Sequence, residues 1–77
     1  MVRGRYMSHE MEQICGQIML HRKQQKVSQM VMGEELGMTQ QGYQQKETNG
    51  NFRMNEFFKI CSVLKLDPAE LVREATR

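Results

Sequence analysis

The stretch Ser28-Gln29-Met30-Val31-Met32-Gly33-Glu34-Glu35-Leu36-Gly37-Met38-Thr39-Gln40-Gln41-Gly42-Tyr43-Gln44-Gln45-Lys46-Glu47 decides how this 77-residue chain folds. Ser28 is placed to cap a short helix that runs to about Leu36, with Met32 and Leu36 turned inward and Glu34 and Glu35 toward solvent. Gly37 stops that helix, because glycine enters the left-handed conformation at no steric cost. Thr39 caps the next helix, over 39–47, and Tyr43 is its main apolar anchor. Two short helices across so tight a turn match the helix-turn-helix pattern.

Upstream, Ser8 is a candidate cap for a first helix, with Glu10 and Glu12 in its opening turn where a carboxylate is favoured. Met11, Ile14, Cys15, Ile18 and Met19 recur at three- and four-residue intervals and form its apolar stripe. The charged and amide-rich run 22–26 ends it. Downstream, the turn formers Thr48, Asn49, Gly50 and Asn51 make a loop after Glu47. A fourth helix is predicted over 54–65, with Met54, Phe57, Phe58, Cys61 and Leu64 inward. Asp67-Pro68-Ala69-Glu70 opens a fifth. Asp67 caps it, Pro68 takes the first helical position, Glu70 completes a capping box, and Leu71 and Val72 fasten the helix to the core. The predicted fold class is all-α, a compact five-helix domain over residues 8–77. The first seven residues, MVRGRYM, form a flexible basic arm ahead of it.

A chain of this length supports one small core, and a rigid catalytic cleft is difficult to accommodate in it. No carboxylate–histidine spacing or glycine-rich phosphate loop points to catalysis. Enzymatic function, a cofactor and a metal are therefore not expected. Cys15 and Cys61 lack the spacing of zinc or redox motifs and read as buried free thiols in a reducing cytoplasm. No apolar run reaches the roughly 20 residues of a membrane span, and no signal-peptide pattern opens the sequence. The net charge of +2 is mild for a nucleic-acid binder. It is polarised, with +3 over residues 1–26, −2 over 27–47 and +1 over the rest.

Residues 39–47 carry the functional signal. Gln40, Gln41 and Gln44 share an outer helical face, with Gln45 at its edge four residues beyond Gln41. A glutamine amide donates and accepts at once, so it can pair with both N6 and N7 of adenine in the major groove. The same residues also make an ordinary solvated helix surface, and periodicity does not choose between the two. Arg3 and Arg5 are similarly open, as contacts to a DNA backbone or minor groove or as a solubilising tail.

The region from Ile18 to Leu71 resembles the lambda-repressor/Cro-like (XRE-type) helix-turn-helix family. The likeness rests on Arg22, Val27-Ser28-Gln29, Met32-Gly33, Leu36-Gly37-Met38-Thr39-Gln40, Glu47, Lys59-Ile60, Leu64 and Glu70-Leu71, in that order and spacing. The resemblance implies a five-helix DNA-binding domain whose third helix enters the major groove. Gln40, Gln41, Gln44 and Gln45 then become the base-contacting set. Gln29, Thr39, Lys46, Asn49, Asn51 and Arg53 become the phosphate-contacting set, with Gln29 also bracing Gln40. Arg22 and Glu47 are implied to pair and support the third helix. The chain departs from the family pattern at Gly33, where alanine is usual and either residue is small enough. It departs again at Gly42, inside the third helix, where the missing side chain leaves room for a thymine methyl or loosens the helix. A third departure is Lys46, at a usually apolar position. The implied partner is double-stranded DNA with a palindromic operator, bound by a homodimer formed around helix five and the adjoining face of helix four. The implied activity is transcriptional repression. Two other functions share the pattern. One is an antitoxin that also binds a toxin protein and autoregulates its operon, and the other is a helical protein-interaction module without DNA binding.

Overall fold

The computed structural model describes residues 8–77, which form five α-helices and no strand: α1 (His9–Gln24), α2 (Gln29–Leu36), α3 (Gln40–Asn49), α4 (Met54–Leu64) and α5 (Pro68–Thr76). The predicted arm, residues 1–7 with Arg3 and Arg5, lies outside the described residues. Short polar side chains open four of the helices by accepting otherwise orphaned backbone N–H groups. Ser8 Oγ accepts from Met11, Ser28 Oγ from Val31 and Thr39 Oγ1 from Gly42, at 3.0, 3.1 and 3.0 Å. Asp67 Oδ1 accepts from Ala69 at 3.0 Å ahead of Pro68. Glu70 does not complete a capping box there. It pairs with Arg73 one turn on, which turns its carboxylate away from the cap.

Left-handed residues close three helices. Gly37 (φ 71°) ends α2 and Gly50 (φ 72°) ends α3, while Lys65 (φ 59°) ends α4 without being glycine. The third helix therefore runs two residues past its predicted end at Glu47. Thr48 and Asn49 stay helical until the Gly50 N–H turns back onto the carbonyl of Lys46 at 2.7 Å. The turn between α2 and α3 is fixed by Met38 N–H donating to Gly33 C=O at 2.8 Å. Gly33 is buried against this turn, and a Cβ there would stand 2.9 Å from the carbonyl oxygens of both Met38 and Thr39. The expectation that alanine would serve equally is corrected, because the turn backbone already fills the space.

The core gathers Ile18 from α1, Met32 from α2, Tyr43 from α3, Phe57, Ile60, Cys61 and Leu64 from α4, and Leu71 from α5. Helix α5 packs on α1 and α4, whereas α3 packs on α2 and α1, so these two helices lie on different sides of the domain. In α1 and α4 three predicted core residues are in fact exposed: Met19, Met54 and Phe58. In α4 the buried positions 57, 60, 61 and 64 define one stripe, and Met54 and Phe58, four residues apart, run beside it on a face that no described residue covers. Val72 is likewise exposed, and Ala75, one helical step on from Leu71, takes the inward place on α5. Phe52, between α3 and α4, packs on the core with its ring 6.5 Å from that of Tyr43. No helix among the described residues is long and apolar enough to cross a membrane.

Candidate nucleic-acid interface

Helix α3 has one inward stripe and one outward face. Tyr43 and Glu47, four residues apart, are buried, while Gln40, Gln41, Gln44 and Gln45 are all exposed. A ten-residue helix with so little apolar surface cannot hold its place by hydrophobic burial alone. A buried polar hub does the rest. The Arg22 guanidinium from α1 donates to both oxygens of Glu47, Nε to Oε2 at 2.9 Å and Nη2 to Oε1 at 3.1 Å. Tyr43 Oη donates to Oε2 at 2.7 Å and Gln29 Nε2 to Oε1 at 3.2 Å. The remaining arm of Arg22, Nη1, donates to the Val27 carbonyl at 3.0 Å, tying α1 to the entry of α2. Arg22 is 7% exposed and Glu47 3%, so the pair is shielded from water and from salt. The forked, two-oxygen geometry fixes the rotation of α3 about its own axis, which a simple apolar contact would not.

Burial opposes ionisation of Glu47 more than any other influence. Together, however, the hydrogen bonds from Arg22, Tyr43 and Gln29 outweigh it and hold the carboxyl below its ordinary range. The sign of the linkage follows. A depressed folded-state pKa contributes stability that is fully present above the unfolded carboxyl value, about 4.3, and that disappears as pH falls through the lower folded value. Chemical unfolding followed by circular dichroism is expected to show a stability plateau near neutrality and a steep loss beginning near pH 4. The loss should be clearly smaller in Glu47→Gln, measured against that variant's own neutral value.

One implied contact is corrected by the geometry, and a second residue meets partners within the chain. Gln29 does not brace Gln40, because its amide N–H is directed to Glu47 and it becomes the fourth member of the hub. Lys46, implied on phosphate, places its Nζ 3.1 Å from Glu56 Oε1 and 3.4 Å from the Asn51 carbonyl, clamping the end of α3 to the start of α4. Glu56 accepts the Arg53 N–H at 2.9 Å as well. That backbone contact first, then Lys46, lowers its carboxyl pKa. Gly42 sits close to the cap of its own helix. A Cβ there would meet Thr39 Oγ1 at 3.2 Å and the Met38 side chain at 3.8 Å, so the glycine accommodates the helix cap.

The outward amides are placed differently. None of the Gln40, Gln41, Gln44 or Gln45 side chains is hydrogen-bonded within the described residues, in contrast to Gln25, which donates to the Leu64 carbonyl at 2.7 Å, and to Gln29. Thr39, Gln40, Gln41 and Gln44 line a shallow depression of about 340 Å³. Gln40 and Gln44 also border a second, of about 420 Å³, whose other wall includes Lys23, Ser28 and Gln29. Asn49 closes α3 half-buried, and Asn51 and Arg53 are exposed beyond Gly50. This arrangement is a row of exposed amides, with Lys23 on the wall of the depression that Gln40 and Gln44 share.

Little on the described surface supports covalent chemistry. Burial first, and then the charge of Glu47, pushes the Cys15 thiol up to about 11, and burial with Asp67 raises that of Cys61. Both stay protonated at neutral pH and are not nucleophiles. No group of histidine, cysteine and carboxylate side chains among the described residues could hold a metal ion. The tyrosine, whose hydroxyl anchors the hub, was anticipated only as an apolar anchor, and an i, i+4 Tyr–Glu pair was its only sequence signal.

No family model matches the chain, and no curated protein or solved structure matches it either.

Proposed function

We propose that this chain is a sequence-specific duplex-DNA-binding protein of lambda-repressor-like architecture, acting as a dimeric transcriptional repressor that occupies its operator without a chemical step. The observation that carries the reading is the contrast within α3. Its inner face is locked by a buried four-residue hub, and its outer face presents four amides with no partner among the described residues. A stable protein gains little from fixing the rotation of a helix whose outer side chains only meet water. A reading helix requires it, since base recognition fails when side chains are misplaced by an ångström or so.

Dimerisation is part of the same proposal. Met54, Phe58 and Val72, 66%, 52% and 43% exposed, line a groove of about 610 Å³ between α4 and α5, with Asp67 and Arg73 of opposite charge also in its lining. A two-fold contact would bury this apolar patch and set each Asp67 toward the partner's cationic side, as a self-complementary interface requires. Helix α5 touches neither α2 nor α3, so a contact there leaves both reading faces uncovered. Substituting Phe58→Asp, at an exposed position, is expected to leave the helical fold intact and give a monomer by analytical ultracentrifugation. Affinity for a two-half-site operator should fall by about 10²–10⁴, the usual gain from linking two sites.

The test of the function itself is duplex binding with footprinting. Protection is expected over two half-sites spaced by roughly 10 bp, one helical turn. The salt dependence should be shallow. Among the described residues Lys23 and Arg53 supply two cations per protomer, four per dimer, for a slope of roughly −4 in log K against log salt from these alone. Absence of any sequence-preferring duplex binding at low salt would overturn the proposal.

A further inference from the structure

The chemistry of the reading face is narrower than its sequence indicates. Among the residues of α3 the only charged side chains are Lys46 and Glu47, and the structure withdraws both from the outer surface. Glu47 is buried with its two oxygens occupied by Arg22, Tyr43 and Gln29. Lys46 is held by Glu56 and the Asn51 carbonyl. The exposed side chains along the remaining face are the amides Gln40, Gln41, Gln44 and Gln45, followed at the far end by the Thr48 hydroxyl, so no exposed group on it carries charge.

That uniformity discriminates among bases. Guanine shows two adjacent acceptors, N7 and O6, in the major groove and is best met by a side chain carrying two donors, an arginine above all. The reading face has no such group, and an amide can offer guanine only its single NH2, which leaves its carbonyl oxygen without a donor on that base. Cytosine shows one donor, N4, which a carboxylate serves best, and the only carboxylate on α3 is buried. Adenine shows an acceptor, N7, beside a donor, N6, and a primary amide supplies the matching donor and acceptor together. Thr39 adds little to a different specificity, because its oxygen caps the Gly42 N–H.

We infer that each operator half-site is an A·T-dominated segment read at the N6 and N7 edges of two or more adenines by the exposed amides of α3. This rests on the proposed DNA-reading function and adds to it the chemical class of the target. The amides at 40 and 44, and those at 41 and 45, are each one helical turn apart, so the face presents two parallel rows of adenine-matching groups.

The experiment is selection by the full chain from a library of random duplexes at low salt. Affinities are then measured on the selected duplex with single adenines replaced by 7-deazaadenine, which removes the N7 acceptor and leaves Watson–Crick pairing intact. The expected result is an A·T-dominated half-site at which at least two such replacements each weaken binding by about tenfold. Gln40→Ala or Gln44→Ala should abolish the penalty at one particular adenine, a readout that general loss of stability would not produce. A G·C-dominated half-site overturns the inference while leaving duplex recognition standing. So does an A·T half-site indifferent to every 7-deaza replacement, which would indicate recognition by groove shape. No sequence-preferring binding at all overturns both the inference and the function on which it rests.

Discussion

Arg22→Ala is expected to lower the free energy of unfolding by about 3–5 kcal/mol, because it strands the buried Glu47 carboxylate with only Tyr43 and Gln29 as partners. Domains of this size hold about 5 kcal/mol in total, so the variant should lie close to its unfolding midpoint at 37 °C. Urea titration of the two proteins measures the difference directly, and a change below about 1 kcal/mol would mean that the pair is solvated and has no structural role. The asymmetry of buried pairs gives an internal control. Removing both charges, in Arg22→Met with Glu47→Leu, should recover much of the loss, since desolvating two ions costs energy that an apolar pair does not incur. Recovery should be incomplete, because the Tyr43 hydroxyl and the Gln29 amide both lose the acceptor they share. DNA affinity is expected to recover less than stability does. Methionine and leucine can fill the space between α1 and α3, but they lack the forked contact that fixes how α3 is turned.

The second large effect belongs to the outer face. A Gln40→Ala/Gln41→Ala double variant should fold as the parent does, since both side chains are exposed and alanine is the better helix former. Its thermal midpoint should be unchanged or slightly raised. Discrimination between the operator and a scrambled duplex is expected to collapse, by about 1–3 kcal/mol for each reading amide lost. Non-specific binding should persist with an unchanged salt slope, because the phosphate-facing cations are intact. Competition binding against both duplexes, with a salt series for each, separates the two quantities. Full retention of sequence preference would remove Gln40 and Gln41 from the reading set.

These two variants divide α3 into an inner face that sets its orientation and an outer face to which the proposal assigns the contacts. The inner face was partly legible in the linear pattern. Tyr43 could be placed inward by spacing from Thr39, and the pairing of Arg22 with Glu47 followed from the family resemblance. The part played by Gln29 is not legible in the same way, because a hydrogen bond between side chains 18 residues apart leaves no periodic trace. Lys46 gives no sign of its ion pair for the same reason. Its partner, Glu56, sits on the far side of a turn, where sequence spacing carries no information about distance. The exposure of Met54 and Phe58 reversed an assignment as well. An apolar residue beside a helical stripe looks like a wider stripe, until the neighbouring helices are seen to cover only one side of it.

Local signals alone were enough to locate the elements. Capping oxygens at Ser8, Ser28, Thr39 and Asp67 and the left-handed Gly37 act within four residues of themselves, so helix starts and the tight turn could be read from neighbouring letters. Which polar groups are spent inside the protein and which remain for a partner was settled by packing. Burial and long-range hydrogen bonding depend on distances between helices, and these exist only after the chain has folded back on itself. Folding thus takes Arg22, Gln29, Lys46 and Glu47 off the accessible surface chemistry and leaves four glutamines in place on a rigid rod.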